Sequence, residues 1–286
     1  MNKSLNSFKK QHKHIICLDS DGTVLDAMNV KHRKCHGPAF IEVWGLEGHG
    51  EEVQEIWNRI NLYDRTRGIN RFLALLEIIK ELNGRLMKLS PEDIQILENW
   101  VLNSTDLSSK GLKNEIKKNA SEILKKTLEW SDLINAKISA LSPVDKPPFP
   151  GVIDFLKEAS KKADHAIVSS SNIAALEEEW GYYGLLDYVD LVTSQETGTK
   201  TDCLRAIIEK GYSEKRVLMV GDALPDVVAA KVNGVFFYPI LINNEEKSWK
   251  DLKDKFLQVF LEDRFELYQD ELLTCFNNNF TSINDG

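Results

Sequence analysis

The segment IICLDSDGTVLD, residues 15–26, carries two aspartates directly after a run of four apolar residues. Asp19 and Asp21 stand two positions apart, so in an extended chain both side chains point to the same side of the backbone. Two carboxylates held that close repel each other unless a cation lies between them. A hard dication with oxygen ligands, such as Mg²⁺, meets this need. The pair therefore predicts a metal site with an aspartate available for chemistry.

Other apolar runs, in the second half of the chain, also end in polar side chains. AIVSSSN ends in Ser169, TSQETGTKTD places Lys200 at the start of a predicted helix, and VLMVGDALPD supplies Asp222 and Asp226. Ligands of open parallel sheets bind beyond the carboxyl ends of the strands, so these side chains are expected to meet there. Asp226 has a second interpretation, as an acid that stabilises a helix N-terminus. The predicted metal ligands are Asp19, Asp21, Asp222 and Asp226.

This set of side chains suits phosphoryl transfer. An ionised aspartate can attack phosphorus to form an aspartyl-phosphate, while a second protonates the leaving oxygen and then deprotonates the attacking water. A serine hydroxyl and a lysine ammonium can bind the phosphoryl oxygens through the transition state. The predicted catalytic residues are Asp19, Asp21, Ser169 and Lys200. The predicted substrate-binding residues are Thr23, Ser170, Asn172, Arg67 and Arg71.

The four motifs resemble those of the haloacid dehalogenase superfamily and follow in that family's order. DSDGT is similar to the DxDxT motif, and GDALPD is similar to the acidic metal motif. The resemblance implies that Asp19 is the nucleophile and that Asp21 is the acid and base, which also lends its backbone carbonyl to Mg²⁺. It further implies that Ser169 and Lys200 are the hydroxyl and the lysine of the second and third motifs.

Two positions depart from the family pattern. Thr201 follows the lysine where relatives often have proline, and Ala223 stands where a small polar residue is common. The presence of Asp21 favours phosphate transfer, because true dehalogenases lack that acid.

The remaining elements are predicted from hydrophobic periodicity. From residue 147 onward, helical and strand patterns alternate, which predicts a parallel sheet flanked by helices. Residues 27–146 carry apolar side chains at three- and four-residue spacing, which predicts a helical bundle with its own core. We therefore expect an α/β catalytic core of residues 1–26 and 147–286, interrupted by an all-α domain. By the resemblance, this is a Rossmann-like core with an inserted helical cap of the C1 type.

Two segments are predicted to be irregular. SPVDKPPFPG, residues 142–151, contains four prolines and is interpreted as a hinge or linker. The Asn-rich end, NNNFTSINDG, is expected to fray.

The helical insertion contains two polar motifs. RTRGINRF, residues 65–72, places basic side chains around a glycine before a predicted helix. Similar β-phosphoglucomutase-like enzymes present a specificity loop at about this place, which implies that Arg67 or Arg71 contacts a substrate anion; a solvated basic helix start is the alternative. HRKCH, residues 32–36, lacks the spacing of a four-ligand zinc site and is interpreted as a polar helix entry. Tryptophans at helical spacing are predicted to be core residues, including Trp44, Trp57, Trp100 and Trp130.

Composition limits the partners and the compartment. The chain has 36 basic and 44 acidic side chains, a net charge of −8, which disfavours nucleic acid or an anionic membrane as partner. Its four cysteines are scattered without a CxxC pair, as is typical of free thiols in a reducing compartment. Neither a signal peptide pattern nor an apolar run of bilayer length is present. We predict a cytoplasmic protein that acts on a small phosphorylated metabolite.

The leading functional prediction is a Mg²⁺-dependent phosphatase that hydrolyses a small phosphomonoester through an aspartyl-phosphate. A sugar-phosphate mutase is the nearest alternative, since it would use the same residues. A phosphonate hydrolase would need a Schiff-base lysine from the cap, for which Lys31 and Lys34 are available. A non-catalytic protein that binds a phosphorylated ligand is the alternative from another class, which the intact Asp19 and Asp21 pair disfavours.

Overall fold

The structure is a computed structural model that describes the backbone of residues 3–284 and the side chains of residues 3–280. The chain divides into two compact units, an α/β unit of residues 1–28 and 143–286 and a helical unit of residues 29–142. These boundaries lie two and four residues from those expected from the sequence, at 28 against 26 and at 142 against 146. Each unit has a hydrophobic core of its own.

The α/β unit is built on a five-stranded sheet with the order β3-β2-β1-β4-β5. The strands are β1 (Ile15–Leu18), β2 (Asp164–Val168), β3 (Leu191–Thr193), β4 (Val217–Gly221) and β5 (Phe236–Pro239). All four strand pairs are parallel. The residues of β1 are fully buried, as expected of a central strand covered by helices on both faces. The predicted fold class is confirmed.

Helices account for most of the remaining chain. The helical unit contains α1 (Met28–Lys31, which begins at the boundary), α2 (Gly37–Trp44), α3 (Gly50–Asn58), α4 (Arg71–Leu82), α5 (Pro91–Asn103), α6 (Ser109–Lys118) and α7 (Glu122–Ser139). The α/β unit contains α8 (Val152–Ala159), α9 (Ile173–Tyr182), α10 (Lys200–Ile208), α11 (Leu224–Val232), α12 (Glu245–Asp251), α13 (Leu257–Leu261) and α14 (Gln269–Asn284). No helix within residues 3–284 has the length and apolar composition required to span a bilayer.

Local signals in the sequence explain several helix boundaries. Ser90 caps α5 by accepting a hydrogen bond from the backbone N–H of Asp93 at 3.1 Å, and Pro91 occupies the first helical position, where its missing N–H is harmless. The Asn-rich end, which we expected to fray, continues α14 to Asn284, and residues 285 and 286 lie outside the described part of the chain.

Within residues 3–284, three segments are π-helical. They comprise His32–His36, Arg59–Tyr63 and Leu252–Phe256. Such segments are rare and often occur at functional sites. The first two lie in the helical unit, and the first coincides with the HRKCH motif.

Two side-chain contacts hold the first half of the proline-rich segment, residues 142–151, in the α/β unit. Lys146 is buried and its Nζ lies 2.6 Å from Oε1 of Glu179, in an ion pair whose side chains are 4% and 2% exposed. The hydroxyl of Tyr183 donates to the carbonyl of Pro143 at 2.8 Å. A buried charge is costly unless it is paired, so this contact fixes the segment that the sequence predicts as a hinge.

Candidate active site

Three buried carboxylates meet at the carboxyl ends of β1 and β4. One oxygen each from Asp19, Asp222 and Asp226 lies within 4.8 Å of the others. Asp19 follows β1 directly, and its backbone N–H donates to the carbonyl of Val220 in β4 at 3.0 Å. Because β1 and β4 are parallel neighbours in register, residues that follow them emerge at the same edge of the sheet. The structure thus brings together three of the four predicted metal ligands. We call Asp19, Asp222 and Asp226 the acidic cluster.

Lys200 neutralises part of this negative charge. Its Nζ lies 2.9 Å from Oδ1 of Asp19 and 2.6 Å from Oδ1 of Asp226. Lys200 is the first residue of α10, whose start is fixed by a capping box between Thr199 and Asp202. Burial works against the charged form of the lysine, but the two carboxylates outweigh it and raise the Lys200 pKa. The lysine is therefore a fixed cation that contacts the predicted nucleophile.

Burial raises the pKa of the Asp19 carboxyl well above its ordinary value. The charge of Lys200 opposes this shift, whereas Asp226 and Asp222 add to it. Burial likewise raises the pKa of Asp226. The single positive charge of Lys200 therefore does not balance the negative charges of the three carboxylates.

Asp226, one of the predicted metal ligands, also has two protein partners within the site. Its Oδ1 contacts Lys200, and its Oδ2 accepts a hydrogen bond from the backbone N–H of Ala223 at 3.1 Å, which caps the start of α11. Gly221 makes room for this carboxyl, since a Cβ at Gly221 would stand 2.4 Å from Cγ and Oδ2 of Asp226. Asp226 thus belongs to the acidic cluster and also caps the start of α11, as its second sequence interpretation predicts.

Thr23, predicted to bind substrate, contacts a carboxylate of the acidic cluster. It is fully buried, and its hydroxyl donates to Oδ1 of Asp222 at 2.7 Å. This bond orients a carboxylate of the acidic cluster, and it uses the hydroxyl proton of Thr23.

Asp21 lies outside the group of three carboxylates. It is partly exposed, and its Oδ2 accepts a hydrogen bond from the hydroxyl of Ser171 at 3.4 Å. Ser169 is buried directly after β2, and its Oγ accepts the backbone N–H of Ser171 at 3.1 Å. The first and second motifs are thus joined through Ser171, which the sequence analysis did not single out as a site residue.

The other predicted residues after β2 have different surroundings. Asn172 caps α9, with its Oδ1 accepting the backbone N–H of Ala175 at 2.9 Å. That bond occupies the side-chain oxygen of Asn172, one of the residues predicted to bind substrate. Ser170 is exposed.

The two predicted arginines belong to the helical unit and differ in their contacts. Arg67 is buried, and its guanidinium donates to the carbonyl of Leu62 at 2.9 Å, a bond within its own loop. Arg71 is partly buried at the start of α4 and donates to Oδ1 of Asn135 at 2.8 Å. Among the described residues, the side chains of HRKCH in the same unit belong to no group of three that could hold a metal ion.

Two tryptophans hold the loop that carries the aspartates, a role that the sequence analysis missed. The indole N–H of Trp180 donates to the hydroxyl of Ser20, between the two aspartates, at 2.9 Å. The indole N–H of Trp249 donates to the carbonyl of Thr23 at 3.0 Å. Both tryptophans are fully buried. The feature that could have indicated this role is the indole N–H itself, because a buried indole N–H needs a hydrogen-bond acceptor.

Trp180→Phe is expected to lower kcat for the predicted phosphomonoester hydrolysis about tenfold. It should also reduce the free energy of unfolding by about 1 kcal/mol. Phenylalanine keeps most of the packing but removes the donor to Ser20, so the loop between Asp19 and Asp21 loses one restraint. Steady-state kinetics with urea unfolding measures both effects.

A double-mutant cycle with Ser20→Ala separates the hydrogen bond from packing. If the bond restrains the loop, Trp180→Phe has less effect in the Ser20→Ala background. Additive losses in kcat would contradict this role for Trp180.

Comparison with known proteins places the chain among hydrolases. The family model described as haloacid dehalogenase-like hydrolase matches residues 13–234, whereas a search of curated protein sequences found no match. Among solved structures, a provisionally assigned phosphoglycolate phosphatase from Lactobacillus delbrueckii subsp. bulgaricus is 17% identical, with 80% of this chain and 86% of that chain covered and a TM-score of 0.50. A haloacid dehalogenase-like family hydrolase from Streptococcus pneumoniae is 14% identical over 83% and 90% of the two chains, with a TM-score of 0.44.

Proposed function

Since this chain belongs to the haloacid dehalogenase-like hydrolase family, we propose that it is a Mg²⁺-dependent phosphatase that hydrolyses a small phosphomonoester through an aspartyl-phosphate. The observation that carries the proposal is the contact of Lys200 with Asp19 beside two further buried carboxylates. A carboxylate nucleophile needs its charge kept available and its anionic target attracted, and a fixed ammonium group serves both needs.

The acidic cluster fits a divalent cation. Three buried carboxylates face one ammonium group, so the group as a whole carries an excess of negative charge in a region shielded from water. Oxygen donors of this kind suit Mg²⁺, which would neutralise charge on the phosphoryl oxygens. We propose Asp19 and Asp222 as the protein carboxylates that hold it. Asp226 is proposed to orient Lys200, because both its oxygens already accept hydrogen bonds.

The remaining roles follow from the neighbours of each side chain. Asp19 attacks phosphorus, and Asp21 donates a proton to the leaving oxygen and later removes one from the attacking water. The partial exposure of Asp21 suits exchange of protons with solvent. Ser169 and Lys200 bind phosphoryl oxygens, and Asp21 is proposed to offer its backbone carbonyl to the metal.

We propose that the helical unit is the cap domain and determines which phosphomonoester is hydrolysed. Arg71 is a better candidate than Arg67 for contact with an anionic substrate. The guanidinium of Arg67 is buried against the backbone of its own loop, whereas Arg71 is accessible in part and donates to neutral side chains of α7.

Phosphate release from a panel of phosphorylated metabolites and p-nitrophenyl phosphate tests this function. We expect turnover of at least one compound with Mg²⁺, loss of turnover to background with excess EDTA, and recovery when Mg²⁺ is restored. Metal dependence is expected because the carboxylates otherwise repel the phosphoryl group.

The products distinguish the related functions. Release of inorganic phosphate supports a phosphatase, and isomerised sugar phosphate without free phosphate would indicate a mutase. Full activity after exhaustive removal of metal would contradict the proposal.

A further inference from the structure

Ser171 contacts a residue of the first motif and a residue of the second. Its hydroxyl donates to Oδ2 of Asp21 at 3.4 Å, and its backbone N–H donates to Oγ of Ser169 at 3.1 Å. The two contacts use different parts of Ser171. Replacing its side chain would therefore remove the contact with Asp21 and keep the contact with Ser169.

The backbone of Ser171 is fixed by neighbours from three elements of the α/β unit. Ser169, which accepts its N–H, directly follows β2. The backbone N–H of Gln195, in the loop after β3, donates to the carbonyl of Ser171 at 3.1 Å. The next residue, Asn172, caps α9. The hydroxyl of Ser171 is therefore presented to Asp21 from a defined position at the carboxyl ends of the strands.

The backbone on both sides of Asp21 is held by other bonds. The hydroxyl of Ser20 accepts a buried indole N–H at 2.9 Å, and the backbone N–H of Gly22 donates to the carbonyl of Leu25 at 2.9 Å. These bonds do not determine the rotation of the Asp21 side chain. That rotation decides whether the carboxyl reaches a leaving oxygen, and the contact with Ser171 acts on it.

A hydroxyl is a suitable partner for a carboxyl group that gains and loses a proton in each catalytic cycle. It can donate to a carboxylate and accept from a protonated carboxyl, whereas an ammonium group can only donate. Lys200 supplies an ammonium group to Asp19, which must be ionised to attack phosphorus. The distance of 3.4 Å between Ser171 and Asp21 is long for a hydroxyl–carboxylate bond, but catalytic hydrogen bonds often tighten only when substrate is bound.

We propose that Ser171 is a positioning residue for proton transfer, which keeps the Asp21 carboxyl directed at the leaving oxygen in both protonation states. The inference rests on the proposed function. Asp21 gives its proton to the leaving oxygen as the bond from that oxygen to phosphorus breaks and Asp19 bonds to phosphorus. Water then attacks the aspartyl-phosphate and returns a proton to Asp21. Ser171 keeps its own proton throughout.

Two aryl phosphomonoesters of similar size test this role. p-Nitrophenolate is a weakly basic leaving group that departs without a proton, whereas the more basic phenolate depends on one. The ratio kcat/KM reports the steps up to formation of the aspartyl-phosphate. With Mg²⁺, Ser171→Ala is expected to lower kcat/KM about tenfold for phenyl phosphate and less than about threefold for p-nitrophenyl phosphate. Competitive inhibition by inorganic phosphate should be unchanged, because the backbone of Ser171 still orients Ser169.

Ser171→Thr and Ser171→Val form a matched pair, because the two new side chains have nearly the same shape and differ in the hydroxyl. The threonine variant should keep the wild-type ratio of the two kcat/KM values, and the valine variant should behave like Ser171→Ala. With an alkyl phosphomonoester of the metabolite panel, valine should lie about tenfold below threonine, since an alkyl oxygen also needs a proton to leave. Ser213→Ala should retain all values, because Ser213 is exposed and precedes β4, away from the acidic cluster.

The outcomes separate this inference from the proposed function. Equal losses for the two aryl esters, or a valine variant that matches the threonine variant, would overturn the role of Ser171 and leave the phosphatase proposal intact. Wild-type protein that hydrolyses no phosphomonoester with Mg²⁺ would contradict the phosphatase proposal, and the inference with it.

Discussion

Replacing Asp19 with asparagine is expected to lower kcat for phosphomonoester hydrolysis by at least about four orders of magnitude, the scale seen when a nucleophile is removed. The neutral amide cannot attack phosphorus, so no aspartyl-phosphate forms. The change should leave the free energy of unfolding unchanged or increase it, because burial beside Asp222 and Asp226 makes a charge at this position costly. Phosphate release at saturating Mg²⁺ and thermal unfolding of the same preparation are the two measurements.

The matched control is Asp187→Asn, which removes the same charge from an exposed position outside the acidic cluster. This variant should retain wild-type turnover. Asp19→Asn with more than about one hundredth of wild-type kcat would exclude Asp19 as the nucleophile, since residual catalysis without a nucleophile is far lower. Lost activity together with a large fall in Tm would instead indicate a structural role for the carboxylate.

The positions of Asp19, Ser169, Lys200 and Asp222 could be predicted from the sequence because each follows a strand or opens the helix after one. The apolar runs define those strands, and the run of four apolar residues before Asp19 forms β1, Ile15–Leu18, over its whole length. Parallel strands in one sheet then require their ends to meet at a common edge. This step depends on topology alone, so it needs no knowledge of side-chain geometry.

The finer roles of Thr23 and Asn172 could not be predicted in this way. A threonine or asparagine next to a strand end can touch a ligand, orient a carboxylate or cap a helix. The choice depends on whether its oxygen lies about 3 Å from one group or another. In the structure, Thr23 donates to Asp222 and Asn172 caps α9.

Long-range hydrogen bonds and π-helical segments leave little trace in the sequence. Trp180 and Ser20 are 160 positions apart, and the place of the tryptophan on an apolar helical face predicts only that it is buried. The helical pattern over residues 52–63 likewise predicts a helix, but one extra residue in a turn barely changes apolar spacing. The transition at Arg59 to π-helix therefore went unpredicted.

Lys200→Met is expected to lower kcat about 100- to 1,000-fold and to destabilise the metal-free protein by about 3 kcal/mol. Methionine preserves most of the volume but removes the ammonium group that contacts both Asp19 and Asp226. Their pKa values, already raised by burial, should rise further, so the folded state should bind protons more tightly than the unfolded state. The stability deficit should therefore shrink as the pH falls from 7 towards 5. Urea unfolding at several pH values measures this trend.

Mg²⁺ provides a sharper test, because a second cation should replace part of the lost charge. Added Mg²⁺ should stabilise Lys200→Met more than it stabilises the wild type. Lys146→Met is the matched control, since it breaks another buried ion pair, to Glu179, outside the acidic cluster. It should be destabilised to a similar extent without selective recovery by Mg²⁺. Equal recovery of both variants would show that Mg²⁺ acts elsewhere on the protein, and the carboxylates around Lys200 would then not be its site.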